Sequence, residues 1–237
     1  MDKKVALITG ASRGIGNTIS IGLAQKGYQT ILLARSKEQM EFVASEIGFI
    51  KNALKPEIHQ IDVLDFQTVQ ELILNIELNH GTIDILVNNA GIYIDGSVKH
   101  KTEDYQHLLN VNLVAPYNIL NAVVPIMKKQ KCGYIFNIAS RAGKIGLPNS
   151  GSYCSSKFGL VGLNESLYKD LADYNVKVTA ICPSWVNTNM AFKAGATVPG
   201  EEMIQTKDIM ETINLLLKLS PHASVKEIVI DVKSRIA

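Results

Sequence analysis

Of the eight tyrosines in the chain, Tyr153 alone is followed four residues later by a lysine, Lys157, and it lies thirteen residues after Ser140. Residues four apart share a face of a helix. There a lysine ammonium would stand beside a phenol and favour its ionised form. A free tyrosine titrates near pKa ~10, so a cationic neighbour is the simplest means of drawing its proton exchange toward neutral pH. With the Ser140 hydroxyl as a further donor, the set suits an oxygen on which negative charge grows, the chemistry of carbonyl reduction and its reverse.

That chemistry needs a hydride carrier, and the N-terminal residues offer it a seat. Gly10, Gly14 and Gly16 directly follow the apolar run Val5 to Thr9 and open a helix-like segment. Glycines there let backbone N–H groups close on a pyrophosphate at the helix N-terminus. Ala11, Ser12, Arg13 and Ile15 complete the turn; a tight strand-to-helix turn with no ligand is the competing reading. At the end of the second apolar run, where NAD enzymes commonly carry an acid for the ribose 2′-hydroxyl, stand Ala34 and Arg35. No carboxylate repels a 2′-phosphate, and Arg13 with Arg35 can clamp it, which favours NADP(H) over two merely solvated arginines. Asp62 is placed for the adenine amino group with Val63 beside the ring, unless it caps a helix, a task for which Asp65 is better set. Asn88-Asn89-Ala90-Gly91 follows the fourth run, where small residues let a cofactor pass close to the backbone.

The elements that must position these residues alternate. Short β-branched runs at Val5–Thr9, Thr30–Ala34, Ile58–Asp62, Ile83–Asn88, Tyr134–Ser140, Val176–Cys182 and Glu227–Asp231 are separated by amphipathic segments. This rhythm predicts an α/β fold: a doubly wound parallel sheet of seven strands with helices on both faces and right-handed crossovers. Two helices, around 102–130 and 152–174, are long, and Pro116 and Pro125 predict a bend or break in the first. Residues 187–205 are weak in both periodicities and contain Gly195, Pro199 and Gly200, as a lid or substrate loop would.

Bulk properties narrow the function classes. A chain of 237 residues with 46% hydrophobic and 19% charged residues reads as one globular domain over 1–237. The balance of 24 basic and 22 acidic residues leaves no basic stripe for nucleic acid. The one cationic cluster, Lys128-Lys129-Gln130-Lys131, suits the C-terminal end of a helix. Cys132, Cys154 and Cys182 are odd in number and widely spaced, which argues against a zinc or redox site and for a reducing, cytoplasmic setting. The start Met1-Asp2-Lys3-Lys4 has a leader's charge, but Val5 to Ile8 is too short for its apolar stretch. No run of ~18 apolar residues is visible, so no membrane partner is expected.

Together these residues resemble the short-chain dehydrogenase/reductase family over nearly the whole chain. Thr9 to Gly16 resembles its glycine motif, Asn88 to Gly91 its Asn-Asn-Ala-Gly segment, and Ser140, Tyr153 and Lys157 its catalytic set; Asn112 stands where the family carries its fourth catalytic residue. The resemblance implies a Rossmann-like seven-stranded sheet and a homodimer or homotetramer packing its two long helices across subunits. It also implies roles. Tyr153 protonates the carbonyl oxygen and Ser140 hydrogen-bonds it. Lys157 holds the nicotinamide ribose, and Asn112 supports a water that resupplies protons. Pro183, Val186 and Thr188 resemble the segment that covers the nicotinamide.

Two departures bear on the substrate. Ser184 replaces the family's usual glycine after the proline, which predicts an altered loop path because serine tolerates positive φ poorly. Trp185 beside it is either a pocket wall or a packing anchor. The C-terminal residues Ser224 to Lys233 also lack the glycines usual in members that reduce 3-oxoacyl carrier-protein substrates. The reading favours an NADP(H)-dependent interconversion of a hydrophobic carbonyl compound and its alcohol, since Ile92, Tyr93, Ile94 and Ile145 lean apolar. A 3-oxoacyl-[acyl-carrier-protein] reductase is the alternative, and a catalytically silent NADP(H) sensor is the alternative of another class.

Overall fold

Seven parallel strands in the order β3-β2-β1-β4-β5-β6-β7 form the centre of the computed structural model, which describes residues 3–235; Met1 and Asp2 of the N-terminal segment lie outside them. In chain order the elements are β1 (Val5–Thr9), α1 (Gly14–Gln25), β2 (Gln29–Ala34), α2 (Lys37–Gly48), β3 (Glu57–Gln60), α3 (Phe66–His80), β4 (Ile85–Asn88), α4 (Thr102–Leu109), α5 (Ala115–Gln130), β5 (Gly133–Ile138), α6 (Gly151–Asp170), β6 (Val176–Pro183), α7 (Asn189–Lys193), α8 (Thr206–Lys218) and β7 (Glu227–Ile230). The strand order reverses between β1 and its neighbour β4. Open sheets of this kind bind ligands at such a switch point, beyond the strands' carboxyl ends.

Alternation along the buried strands builds two cores. Ala6 and Ile8 face one way, against Ile19 and Leu23 of α1, Met40 and Val43 of α2, and Ile209 and Ile213 of α8. Val5 and Leu7 face the other, against Val69 and Ile73 of α3 and Ile119 and Val123 of α5. Both faces of the sheet are thus covered, which is why its strands read as continuous apolar runs. Local chemistry sets the helix starts. Ser36 caps α2, Asp65 caps α3 by accepting from the Thr68 N–H, and Gln205 with Asp208 forms a capping box on α8.

The long helix differs from its sequence expectation. It runs through Pro116 and Pro125, and its irregularity is a π-helical turn at Asn110–Val114 between α4 and α5. Pro116 has no N–H to give the Asn112 carbonyl, and widening the helix just before it accommodates that loss. By length and composition Thr102–Gln130 is long and apolar enough to cross a membrane. Its Leu120, Val123, Ile126 and Met127 are instead buried against the sheet, the packing of a core helix. The lysine cluster falls where expected, with Lys128 and Lys129 in the last turn of α5 and Lys131 closing it at φ 52°.

A chain of buried amides crosses one side of the sheet. Asn88 Nδ2 donates to Asn137 Oδ1 (2.9 Å), Asn137 Nδ2 to Asn164 Oδ1 (2.9 Å), and Asn164 Nδ2 to the Lys226 carbonyl (3.0 Å). The carbonyl at its end fixes the orientation of every amide before it. The chain ties β4, β5 and α6 to the approach of β7. Asn137→Ala removes two of these bonds and strands both partners, so unfolding free energy should fall by about 2–4 kcal/mol. Urea denaturation checks this; a loss below about 0.5 kcal/mol contradicts the chain's structural role.

Candidate active site

The N-terminal half of α6 carries Tyr153 and Lys157. Lys157 is buried, and its Nζ donates to the Ile138 carbonyl at 3.1 Å, beyond which β5 ends. That Nζ lies 5.8 Å from the Tyr153 ring centroid. Ser140 is brought alongside by the turn after β5, where Gly143 leaves so little room that a Cβ would stand 2.7 Å from the Lys157 carbonyl oxygen. The Ser140 Oγ accepts from the Ala142 N–H at 3.1 Å and donates to the Pro183 carbonyl at 3.4 Å.

Burial dominates the electrostatics of the pair. Tyr153 keeps part of its surface toward the cleft, but desolvation pushes its pKa up to about 12; hydrogen bonding to Ser140 opposes the rise, while Cys154 and Tyr93 add to it. Desolvation likewise draws Lys157 down to about 8, with Cys182 opposing. Both shifts favour neutral forms. The phenol therefore holds its proton at neutral pH and is poised as an acid, while the lysine sits near the edge of its charged range.

Asn112 is fully buried in the π turn. Its Oδ1 accepts from the Ile92 N–H (2.8 Å), and its Nδ2 donates to the Ile92 carbonyl (2.9 Å) and to Ser156 Oγ (3.1 Å). The side chain thus clamps the segment after β4 to α6. Gly91 packs in the same corner, where a Cβ would come within 3.3 Å of Asn112 Oδ1 and 3.6 Å of Lys157 Nζ.

The glycine turn fits a dinucleotide. Gly10 and Gly14 adopt φ +64° and +57°, and a Cβ on Gly16 would strike the Gly10 carbonyl. The first turn of α1 has no side-chain cap and no acidic residue, so its N–H groups and positive dipole end remain available to an anion beside Ser12 and Ile15. Asn89 acts as scaffold: its Nδ2 donates to the carbonyls of Thr9 (2.9 Å) and Gly10 (3.1 Å), while Thr9 Oγ1 accepts from the N–H groups of Asn89 and Ala90. Gly14 abuts Thr188, whose methyl a Cβ there would approach to 3.3 Å. Thus the turn meets the segment containing Pro183, Val186 and Thr188.

At the rim, Arg13 is exposed at the N-cap of α1 and Arg35 follows β2 with a largely exposed side chain. The Asp62 carboxylate lies 3.9 Å from Arg35 Nη1 and also accepts from the Leu64 N–H at 3.0 Å; Val63 beside it is buried.

Ser184 stands where the family's glycine would be. Its φ is not positive, and it uses its added side chain: Oγ accepts from the Val232 N–H at 2.9 Å while its N–H donates to the Ile230 carbonyl at 2.8 Å. A serine here binds the C-terminal segment to the end of β6. Trp185 is partly buried and packs against the core that contains α1 and α8. Residues 187–205 are more ordered than their periodicity suggested. They hold α7 and a 3₁₀ turn at Gly200–Glu202, and a Val186–Ile204 bridge closes the segment at its base. Sequence reasoning missed the Thr9 hydroxyl, Ser150 beside Tyr93, and the Asn137–Asn164 link. Only Asn137, a polar residue inside the apolar run Tyr134 to Ile138, carried a visible signal.

Comparison with known proteins agrees with this architecture. The short chain dehydrogenase family profile matches residues 4–198. The 3-oxoacyl-[acyl-carrier-protein] reductase of Thermotoga maritima is 36% identical over 194 residues, covering 81% of this chain and 78% of that protein. A crystal structure of a β-ketoacyl-[ACP] reductase from Bacteroides thetaiotaomicron is 42% identical with a TM-score of 0.89, covering 99% of each chain. A metagenomic short-chain oxidoreductase solved in complex with NADP is 32% identical with a TM-score of 0.83 over 96% of each chain. With the profile spanning most of its length, this chain belongs to the short-chain dehydrogenase family.

Proposed function

We propose that this NADP(H)-dependent oxidoreductase reduces a hydrophobic carbonyl compound to its alcohol, with Tyr153 as proton donor. The observation that carries the reading is geometric: the half-buried Tyr153 phenol stands within hydrogen-bonding reach of the Ser140 hydroxyl, with Lys157 Nζ 5.8 Å from its ring centroid. The nicotinamide supplies the hydride when bound. Ser140 and Tyr153 hydrogen-bond the substrate oxygen as charge grows on it, and Tyr153 gives up its proton there. Lys157 holds the nicotinamide ribose and stabilises the phenolate left behind. Asn112, with its side chain already engaged, supports through its main-chain carbonyl a water that returns protons to Lys157. Gly10, Ser12, Arg13, Gly14, Ile15 and Gly16 cradle the pyrophosphate, Arg13 and Arg35 take the 2′-phosphate, and Asp62 and Val63 take the adenine. Asn89, Ala90, Gly91, Pro183, Val186 and Thr188 line the nicotinamide half.

Residues 187–205 form the substrate loop, on which Met190 and Phe192 are exposed; that supports an apolar substrate. The likeness to 3-oxoacyl-[acyl-carrier-protein] reductases supports a second reading, a 3-oxoacyl thioester as substrate. A homo-oligomer is supported by the apolar groove between α5 and α6, lined by Tyr117, Leu120, Val124, Pro125, Leu163 and Leu167. Three free cysteines suit a reducing cytoplasm.

Following NADPH oxidation across 3-oxobutanoyl thioesters, aryl ketones, aldehydes and quinones distinguishes the two substrate readings; no turnover anywhere in that panel contradicts both. Tyr153→Phe should retain NADPH binding and lose turnover by roughly a thousandfold or more; turnover within about tenfold of the parent overturns the assigned proton donor. Reduction needs a protonated Tyr153, secure to about pH 12, and a charged Lys157, secure only to about pH 8. Accordingly kcat/KM should fall as pH rises through about 8, and a flat profile up to about pH 10 contradicts the role of the lysine charge. Arg35→Ala should raise KM for NADPH about tenfold or more with little change for NADH, because a charge-assisted phosphate contact is lost. Equal effects on both cofactors remove Arg35 from the 2′-phosphate site.

A further inference from the structure

The first turn of α6 carries Tyr153, yet Ser150 at its N-cap does not cap it. A serine at this position ordinarily accepts from an N–H of its own helix. Here the Ser150 hydroxyl donates to the Pro148 carbonyl at 3.3 Å and lies 3.1 Å from the Tyr93 hydroxyl. The two hydroxyls bond each other with either as donor, and Tyr93 donates when the Ser150 hydroxyl gives its proton to the Pro148 carbonyl bond. The Tyr93 ring then meets the Tyr153 ring edge-on, with centroids 5.2 Å apart and planes at 62°.

The helix end is served by the segment that follows Tyr93. The Gly151 N–H donates to Ser97 Oγ at 3.1 Å, the Ser152 N–H to the Gly96 carbonyl at 3.4 Å, and Ser152 Oγ to the Ser97 carbonyl at 2.9 Å. In the other direction the Gly96 N–H donates to the Asn149 carbonyl at 2.5 Å. The fit is close: Gly96 takes φ +85°, and a Cβ on Gly151 would stand 2.8 Å from Ser97. At its other end the segment is held by the Asn112 clamp on Ile92. A segment with no helix or strand of its own thus joins the turn that presents Tyr153 through Tyr93, Gly96 and Ser97, while its Asp95 pairs with Lys99 and His100.

We propose that residues 93–97 are a strap that fixes the position of Tyr153, with Tyr93 as a positioning residue held through Ser150. A ring contact constrains Tyr153 only while the Tyr93 ring is itself held, and the Tyr93–Ser150 bond holds it. Proton transfer is sensitive to such placement, since displacement of a reacting group by about 1 Å can cost a hundredfold in rate. The inference rests on the proposed role of Tyr153 as proton donor and extends it to the parts that aim it.

The test compares Tyr93→Phe, Ser150→Ala and the double variant, using NADPH and the best substrate of the carbonyl panel. Each single variant should lower kcat about fivefold while NADPH affinity and melting temperature stay close to the parent. The double variant should be no slower than the slower single one, because both changes remove the same bond. Ser150→Thr, which keeps a hydroxyl, should recover kcat, and Tyr93→Ala, which also removes the ring contact, should be slower than Tyr93→Phe. Unchanged kcat in the single variants, losses that multiply in the double, or losses that follow NADPH affinity or melting temperature would each overturn the strap. A silent Tyr153→Phe with a fully active Tyr93→Phe sinks this inference alone; an active Tyr153→Phe sinks the reading of the site beneath it.

Discussion

Desolvation of two ionisable groups on adjacent turns of α6 is the constraint on which the site depends. In water a phenol and an ammonium would titrate near their ordinary values, and their attraction would be screened. Packed beneath the carboxyl edge of the sheet, the phenol resists losing its proton and the ammonium resists keeping one. Charge growing on a carbonyl oxygen would then meet a neutral acid in a low-dielectric pocket, where a positioned donor counts for more than in solvent. Within that pocket the Lys157 ammonium keeps a bond to the Ile138 carbonyl at 3.1 Å.

The remaining architecture fixes that corner in shape. Parallel strands deliver Asn88, Ile138 and Pro183 to one edge, and tight glycine contacts at Gly91 and Gly143 let α6 and the segment after β4 close around the lysine. The buried amide chain from Asn88 to the Lys226 carbonyl couples these strands to the C-terminal segment. Ser184 and the Arg141–Asp231 pair, at 2.9 Å, tie that segment to the turns around the site.

Much of this was legible in the sequence because it repeats a local rule. Strand positions followed from β-branched runs, the cap of α3 from Asp65, and the shared face of Tyr153 and Lys157 from helical spacing. What escaped was set by tertiary context. The spacing that aligned phenol and ammonium carried no measure of burial, so it gave no sign of the desolvation that raises the pKa of one and lowers that of the other. Proline rules pointed to a break near Pro116 or Pro125, whereas packing kept the helix going and moved the irregularity into the turn holding Asn112. Ser184 could be read only as a departure from glycine, whereas its hydroxyl accepts from the Val232 N–H, a partner 48 residues away. Ser150 was unreadable as anything but a cap, because its true partner lies 57 residues away.

The central claim, that burial holds the Tyr153 phenol in its acid form, is tested most directly by ultraviolet difference titration of the ligand-free protein against its Tyr153→Phe variant. The account predicts that the one phenolate distinguishing them forms only as pH approaches about 12. A difference signal that titrates near neutral pH would show the phenol ionised where this account requires it protonated.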